Sequence, residues 1–202
     1  MVGDDVVDLG DPEAREGSQH PRFDGRVFAP AERAALAASA EPGRLRWMLW
    51  AAKEAAYKLA RKRDPGTVFS PSRFLVSLDA RLRGRVAWAG GAARVELRQI
   101  GDAAHATARD GRAARGGLAR GVARLGADGD PSRAARELAR RSVARRLGLD
   151  PRALRVVRRG RIPGLVLPGG EALDLSLSHH GGFVSFACEL EAAPPGAREL
   201  GT

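Results

Sequence analysis

Apolar positions along this chain fall into two periods. Trp47, Met48, Ala51, Ala52, Ala55 and Leu59 recur at three- and four-residue steps and predict a helix over about residues 45–61. Asp64-Pro65-Gly66 stops it. Ala135, Leu138, Ala139, Ser142, Val143 and Leu147 predict a second helix. Asp130 is placed to be its N-cap, Pro131 its first residue, and Gly148 lies just past its end. Pro30 opens a shorter helix through Leu36. Brief apolar runs predict strands at residues 2–9, 74–78, 86–88, 94–97 and 104–108, with Gly90-Gly91 as a hairpin turn. Further strands are predicted at 154–157, 172–177 and 183–190, with residues 160–164 as a turn.

The pattern is that of an α+β protein in two helix-plus-strands units. Residues 1–110 form the first half and 131–192 the second. Residues 111–130, small and rich in Gly and Arg, are expected to link them, and 193–202 to trail as a tail. At 202 residues and 44% hydrophobic content, the chain can bury one good core or two small ones. Cys188 is the single cysteine and sits in an apolar run, so a buried thiol without a disulfide is expected. No apolar stretch is long enough to span a bilayer and no leader-like segment opens the chain, which predicts a cytoplasmic protein with no membrane partner.

The net charge of +10 raises nucleic acid as a partner. Its make-up weakens that idea. Only Lys53, Lys58 and Lys62 are lysines, and the arginines are spread along the chain without alternating aromatics, unlike a single-strand binder. Long-range attraction for an acidic protein or a polyphosphate fits as well.

Two stretches carry candidate chemistry. Gly3-Asp4-Asp5 and Asp8 place carboxylates in the first strand, and Glu54 and Lys58 lie four apart on one helix face. Glu54 and Lys58 in that order also make a favourable helical ion pair, and Asp5 or Asp8 would serve as turn caps. Carboxylates for a hard cation beside a lysine for phosphate are the parts of a phosphoryl-transfer site. Asp8, of opposite strand parity to Asp5, faces away from it.

Three motifs together give the chain a resemblance to the 4′-phosphopantetheinyl transferase superfamily. They are Gly3-Asp4-Asp5, the Trp50/Lys53/Glu54/Lys58 helix, and Ser176-Leu177-Ser178-His179-His180-Gly181 followed by an apolar strand. The order of motifs resembles the short holo-acyl-carrier-protein synthase type. The stretch from Arg141 to the Ser-His segment resembles the first half of the long, surfactin-type members. The chain thus looks like a circularly permuted long-type member, with two pseudo-symmetric halves, the active site between them, and a monomer as its expected state.

The resemblance implies a Mg²⁺-dependent transfer of 4′-phosphopantetheine from coenzyme A to a serine of an acidic apo acyl or peptidyl carrier protein. Asp5 and Glu54 would hold Mg²⁺, with Val7 where long-type members often carry another acid. Glu54, Lys58 and Asp5 would be the catalytic set, Lys58 supporting the leaving group. Ser178, His179, Arg161 and Lys58 would bind coenzyme A, with Arg133 a further phosphate contact. Two alternatives stand beside this: an inactive member that only binds coenzyme A or a carrier, and a basic nucleic-acid-binding protein.

Overall fold

The computed structural model describes residues 1–111, 117–127 and 129–190. The first half runs β1 (Val2–Asp8), α1 (Phe23–Val27), α2 (Pro30–Ala38) and α3 (Pro42–Arg63). A meander follows of β2 (Leu75–Leu78), β3 (Arg83–Trp88), β4 (Gly91–Ile100) and β5 (Ala103–Arg109). β5 returns beside β1, giving the sheet order β1-β5-β4-β3-β2. The second half repeats this path with β6 (Leu118–Arg124), α4 (Pro131–Leu147), β7 (Arg155–Arg159), β8 (Ile162–Val166), β9 (Ala172–His180) and β10 (Phe183–Glu189). Its order is β6-β10-β9-β8-β7, the same circuit of strand, helix and four-strand meander. The fold is α+β with two pseudo-symmetric halves.

Both long helices follow from their sequences. Asp130 caps α4 by accepting from the Ser132 amide at 2.9 Å, and Gly148 ends it with φ at 68°, a conformation that glycine adopts without strain. In α3, Ala51, Ala52, Ala55 and Ala56 are all fully buried. Their small side chains let the helix lie directly on β1. A Cβ on Gly3 would sit 2.0 Å from the Ala55 carbonyl oxygen, so only glycine fits there. This close approach brings the odd-numbered side chains of β1 against α3.

Lys53 shows how the first half is locked. Its ammonium is fully buried and donates to both Glu32 carboxylate oxygens, at 2.8 and 2.7 Å, and to the Pro71 and Phe74 carbonyls. Burial lowers its pKa, opposed by Glu32. The pair ties α3 to α2 and to the entry of β2, a structural role within the Lys-Glu motif.

The structure corrects three expectations from sequence. The proposed linker contains β6, which pairs with β10 along its whole length. Its glycine is structural, because a Cβ at Gly121 would come within 2.9 Å of the Phe186 ring. Residues 160–164 are not only a turn. Ile162 begins β8, and Pro163 is tolerated because β8 meets β9 only from Gly164 onward. The strand expected over 172–177 runs on to His180, so the Ser-His segment as far as His180 lies within β9. The tail expected over 193–202 lies outside the described residues.

The halves meet where β1, an edge strand, faces β9 and β10. An edge strand leaves alternate amides without ladder partners. Here side chains of β9 take them: Val2 N–H donates to Asp174 Oδ2 (2.6 Å), Asp4 N–H to Ser176 Oγ (2.9 Å), and Asp8 N–H to His180 Nδ1 (3.1 Å). Each pair is 172 residues apart, so the strands run in parallel register through side chains. Lys62 closes one end, donating to the Val2 and Leu175 carbonyls and to Asp174. Arg109 with Glu189 and Arg120 with Glu96 add ion pairs across the junction.

Candidate active site

Strand alternation sorts the three acids of β1. Asp4 and Asp8 face the second half. Asp4 accepts from Ser185 Oγ at 2.5 Å and lies 3.6 Å from His105 Nε2, while Asp8 accepts from the Gly182 amide. Burial pushes the Asp4 carboxyl up, but His105, Lys58 and Ser185 together bring it below the ordinary value. His105 and His180 thus occupy structural positions at the junction.

Asp5 faces α3. Its Oδ1 accepts from Lys58 Nζ at 2.9 Å and from Ser178 Oγ at 2.7 Å. Lys58 Nζ also donates to the Asp4 carbonyl at 2.9 Å. Glu54 lies one turn before Lys58 and feels both groups. Its carboxyl is pushed up to about 7, by burial first and the charge of Asp5 second, with Lys58 opposing. Burial works against the Lys58 ammonium, yet Asp5, Asp4 and Glu54 outweigh it and raise its pKa.

Asp5 and Glu54 are hard oxygen donors, and such donors suit Mg²⁺. Among the described residues no cluster of three or more His, Cys, Asp or Glu side chains is placed to hold a metal. Asp5 and Glu54 are the two carboxylates that could hold such an ion, as the resemblance implies. The remaining positions would go to water and phosphate oxygens, as that ion prefers.

Beyond Lys58 opens a cavity of about 360 Å³ between the last turns of α3 and the β7–β8 hairpin. Tyr57, Lys58, Arg61 and Lys62 line one wall, and Arg159, Arg161, Pro163, Ser176 and Leu177 the other. Cations from both halves thus converge on one apolar-floored space that suits a phosphorylated ligand. Lys58 belongs both to this cavity and to the carboxylate pair.

Of the residues singled out from sequence, the structure brings together Asp5, Glu54, Lys58, Ser178 and Arg161. It does not bring Arg133 to them. Arg133 lines a separate open groove of about 700 Å³ with Arg136, Arg140 and Arg155, because α4 covers the far face of its sheet. His179 is exposed and, by strand alternation, on the opposite face of β9 from Ser178. Arg61, Lys62 and Arg159 escaped the sequence reading. The signal for the first two was there, since residues 54, 58, 61 and 62 continue one helical face.

The net charge is also less even than the spread of arginines implied. Residues 131–161, spanning α4, β7 and the hairpin, hold eleven arginines against two acids, a net +9 of the chain's +10. Arg159 and Arg161 carry this basic surface to the cavity rim. Cys188, by contrast, is buried and its thiol pushed up to about 12 by burial, so it is chemically quiet. No helix among the described residues is long and apolar enough to cross a membrane.

The fold and this arrangement fit the class of transferases that act on phosphate esters. The sequence model of the 4′-phosphopantetheinyl transferase superfamily matches residues 1–108, just over half of the chain, and the chain belongs to that superfamily. No curated protein and no solved structure matches it. The family match ends at β5. The second half enters through its repeated topology and through what it adds to β1 and the cavity.

Proposed function

We propose that the protein transfers 4′-phosphopantetheine from coenzyme A to a serine hydroxyl of an acidic apo acyl or peptidyl carrier protein, releasing adenosine 3′,5′-bisphosphate. The observation that carries this reading is Lys58, which joins an Asp5–Glu54 carboxylate pair to a cavity lined by cations from both halves.

Asp5 and Glu54 would hold Mg²⁺, which when bound supplies charge neutralisation at the pyrophosphate. Arg161, with Arg61 and Arg159, binds the phosphates of coenzyme A in the cavity. Glu54 takes the proton of the incoming serine hydroxyl, whose oxygen attacks the phosphorus bearing pantetheine. The bond from that phosphorus to the bridging oxygen breaks, and Lys58 stabilises the charge on departing adenosine 3′,5′-bisphosphate. The arginines of residues 131–161 steer an acidic carrier toward the cavity rim, an effect that weakens with salt.

Chromatographic detection of adenosine 3′,5′-bisphosphate, released only when coenzyme A, Mg²⁺ and an apo carrier are all present, tests the reaction. Glu54→Ala and Asp5→Ala should abolish release while leaving the circular dichroism spectrum unchanged. Release that persists in both variants would refute the assignment. A binder without turnover would give coenzyme A binding and no release. A nucleic-acid binder would give steeply salt-dependent RNA or DNA binding indifferent to Glu54→Ala.

A further inference from the structure

The β9 ladder has one rung out of place. Asp174, Ser176 and His180 each accept from the β1 amide 172 positions earlier. The same offset sets Ser178 opposite the Val6 amide. Its hydroxyl instead turns to Asp5 and donates to Oδ1 at 2.7 Å, from a residue only 8% exposed. We infer that Ser178 is a positioning residue for Asp5, fixing which carboxylate oxygen faces the cation, and not a contact to the adenosine phosphate.

Three features support this. Oδ1 already receives both Ser178 Oγ and Lys58 Nζ, and no hydrogen bond among the described residues reaches Oδ2. Oδ2 is therefore the oxygen left for a cation. The Lys58 side chain is about 29% exposed and opens on the cavity, so it is the partner that a phosphate ligand would draw away. Ser178 is then the hold on Asp5 that persists when ligand is bound. Finally, Ser176 and Leu177 line the cavity whereas Ser178 does not. The second half thereby acts on the cation site of the first through a single hydroxyl, so that docking of the halves and ordering of the ligand carboxylate are one event. Hydrogen bonds of this kind to a metal-ligating carboxylate are worth about 10–100-fold in metal affinity.

The inference rests on the proposed transfer reaction only for the identity of the ion. Mn²⁺ serves as the probe, its binding followed by loss of the free-ion paramagnetic resonance signal with coenzyme A present. Ser178→Ala should weaken Mn²⁺ binding roughly 10–100-fold. Ser178→Thr, which keeps the hydroxyl, should restore most of it. Ser185→Ala, which removes a hydroxyl from the same junction but on Asp4, should leave it unchanged. Calorimetric binding of adenosine 3′,5′-bisphosphate without metal should be equal in all four proteins. Unchanged Mn²⁺ affinity in Ser178→Ala overturns the inference, as does a loss confined to bisphosphate binding, or a wild-type protein that holds no Mn²⁺. Wild-type protein that binds Mn²⁺ as described but modifies no carrier would refute the proposed reaction and leave the role of Ser178 standing.

Discussion

Glu54→Gln should make the metal-free protein more stable at the same time as it removes catalysis. The Glu54 carboxyl is raised in the fold from 4.5 to about 7, because burial and the charge of Asp5 both disfavour its ionised form. A raised carboxyl keeps its proton longer in the folded chain than in the unfolded one. Its contribution is therefore fully present below the unfolded value of 4.5 and is lost as pH climbs through about 7. A shift of this size is worth about 3 kcal/mol. The amide that Glu54→Gln introduces has no charge to bury and escapes the loss. The two proteins should thus melt together near pH 4.5, and the variant should melt roughly 6–12 °C higher near pH 8. Asp4 and Glu96, the two carboxyls held below their ordinary values, are common to both proteins and cancel in the difference. Thermal unfolding in chelator across that pH range is the assay. Equal stability at both pH values would refute the raising of the Glu54 carboxyl by burial and by the charge of Asp5.

The remaining predictions concern the scaffold. Lys53→Met should lower stability by about 3–5 kcal/mol by leaving Glu32 buried without its partner, and adding Glu32→Gln should recover part of that loss in denaturant melts. If the double variant is as damaged as the sum of both singles, the pair is not coupled as described. Gly3→Ala forces β1 away from the Ala55 carbonyl. It should cost about 1–3 kcal/mol and reduce turnover as Asp5 moves from Glu54, readable in unfolding and rate assays on one sample. Because both walls of the cavity come from one chain, sedimentation should give a single-chain mass, and activity per chain should not fall on dilution. An obligate trimer would contradict that design.

Local signals explain what was legible in the sequence. α4 could be read almost to the residue because its cap, its proline and its terminal glycine are all local. α3 is placed by its alanine stripe. Asp5, Glu54 and Lys58 stand out only through the resemblance of their motifs to the superfamily, since the Glu54–Lys58 spacing alone reads as a helical ion pair. β6 was hidden because its strand character comes from pairing with β10, not from its own Gly- and Arg-rich residues. β8 was hidden by Gly160 and Pro163, which signal a turn although the strand resumes immediately. The junction between halves was out of reach altogether. Nothing local in Asp174, Ser176 or His180 says that they take amides 172 residues away, and the Ser178–Asp5 bond belongs to that same class of contact. Arg133 went the other way: it looked like a phosphate contact by its place near a helix start, and the packing of α4 put it in a different groove.

Intact-mass measurement of an apo carrier protein incubated with the purified protein, coenzyme A and Mg²⁺ reads the transfer itself. The carrier should gain one phosphopantetheine on its serine with wild-type protein and none with Glu54→Ala or Asp5→Ala. No gain of that mass on any apo carrier, by a folded wild-type protein that binds coenzyme A, would contradict the proposed transfer.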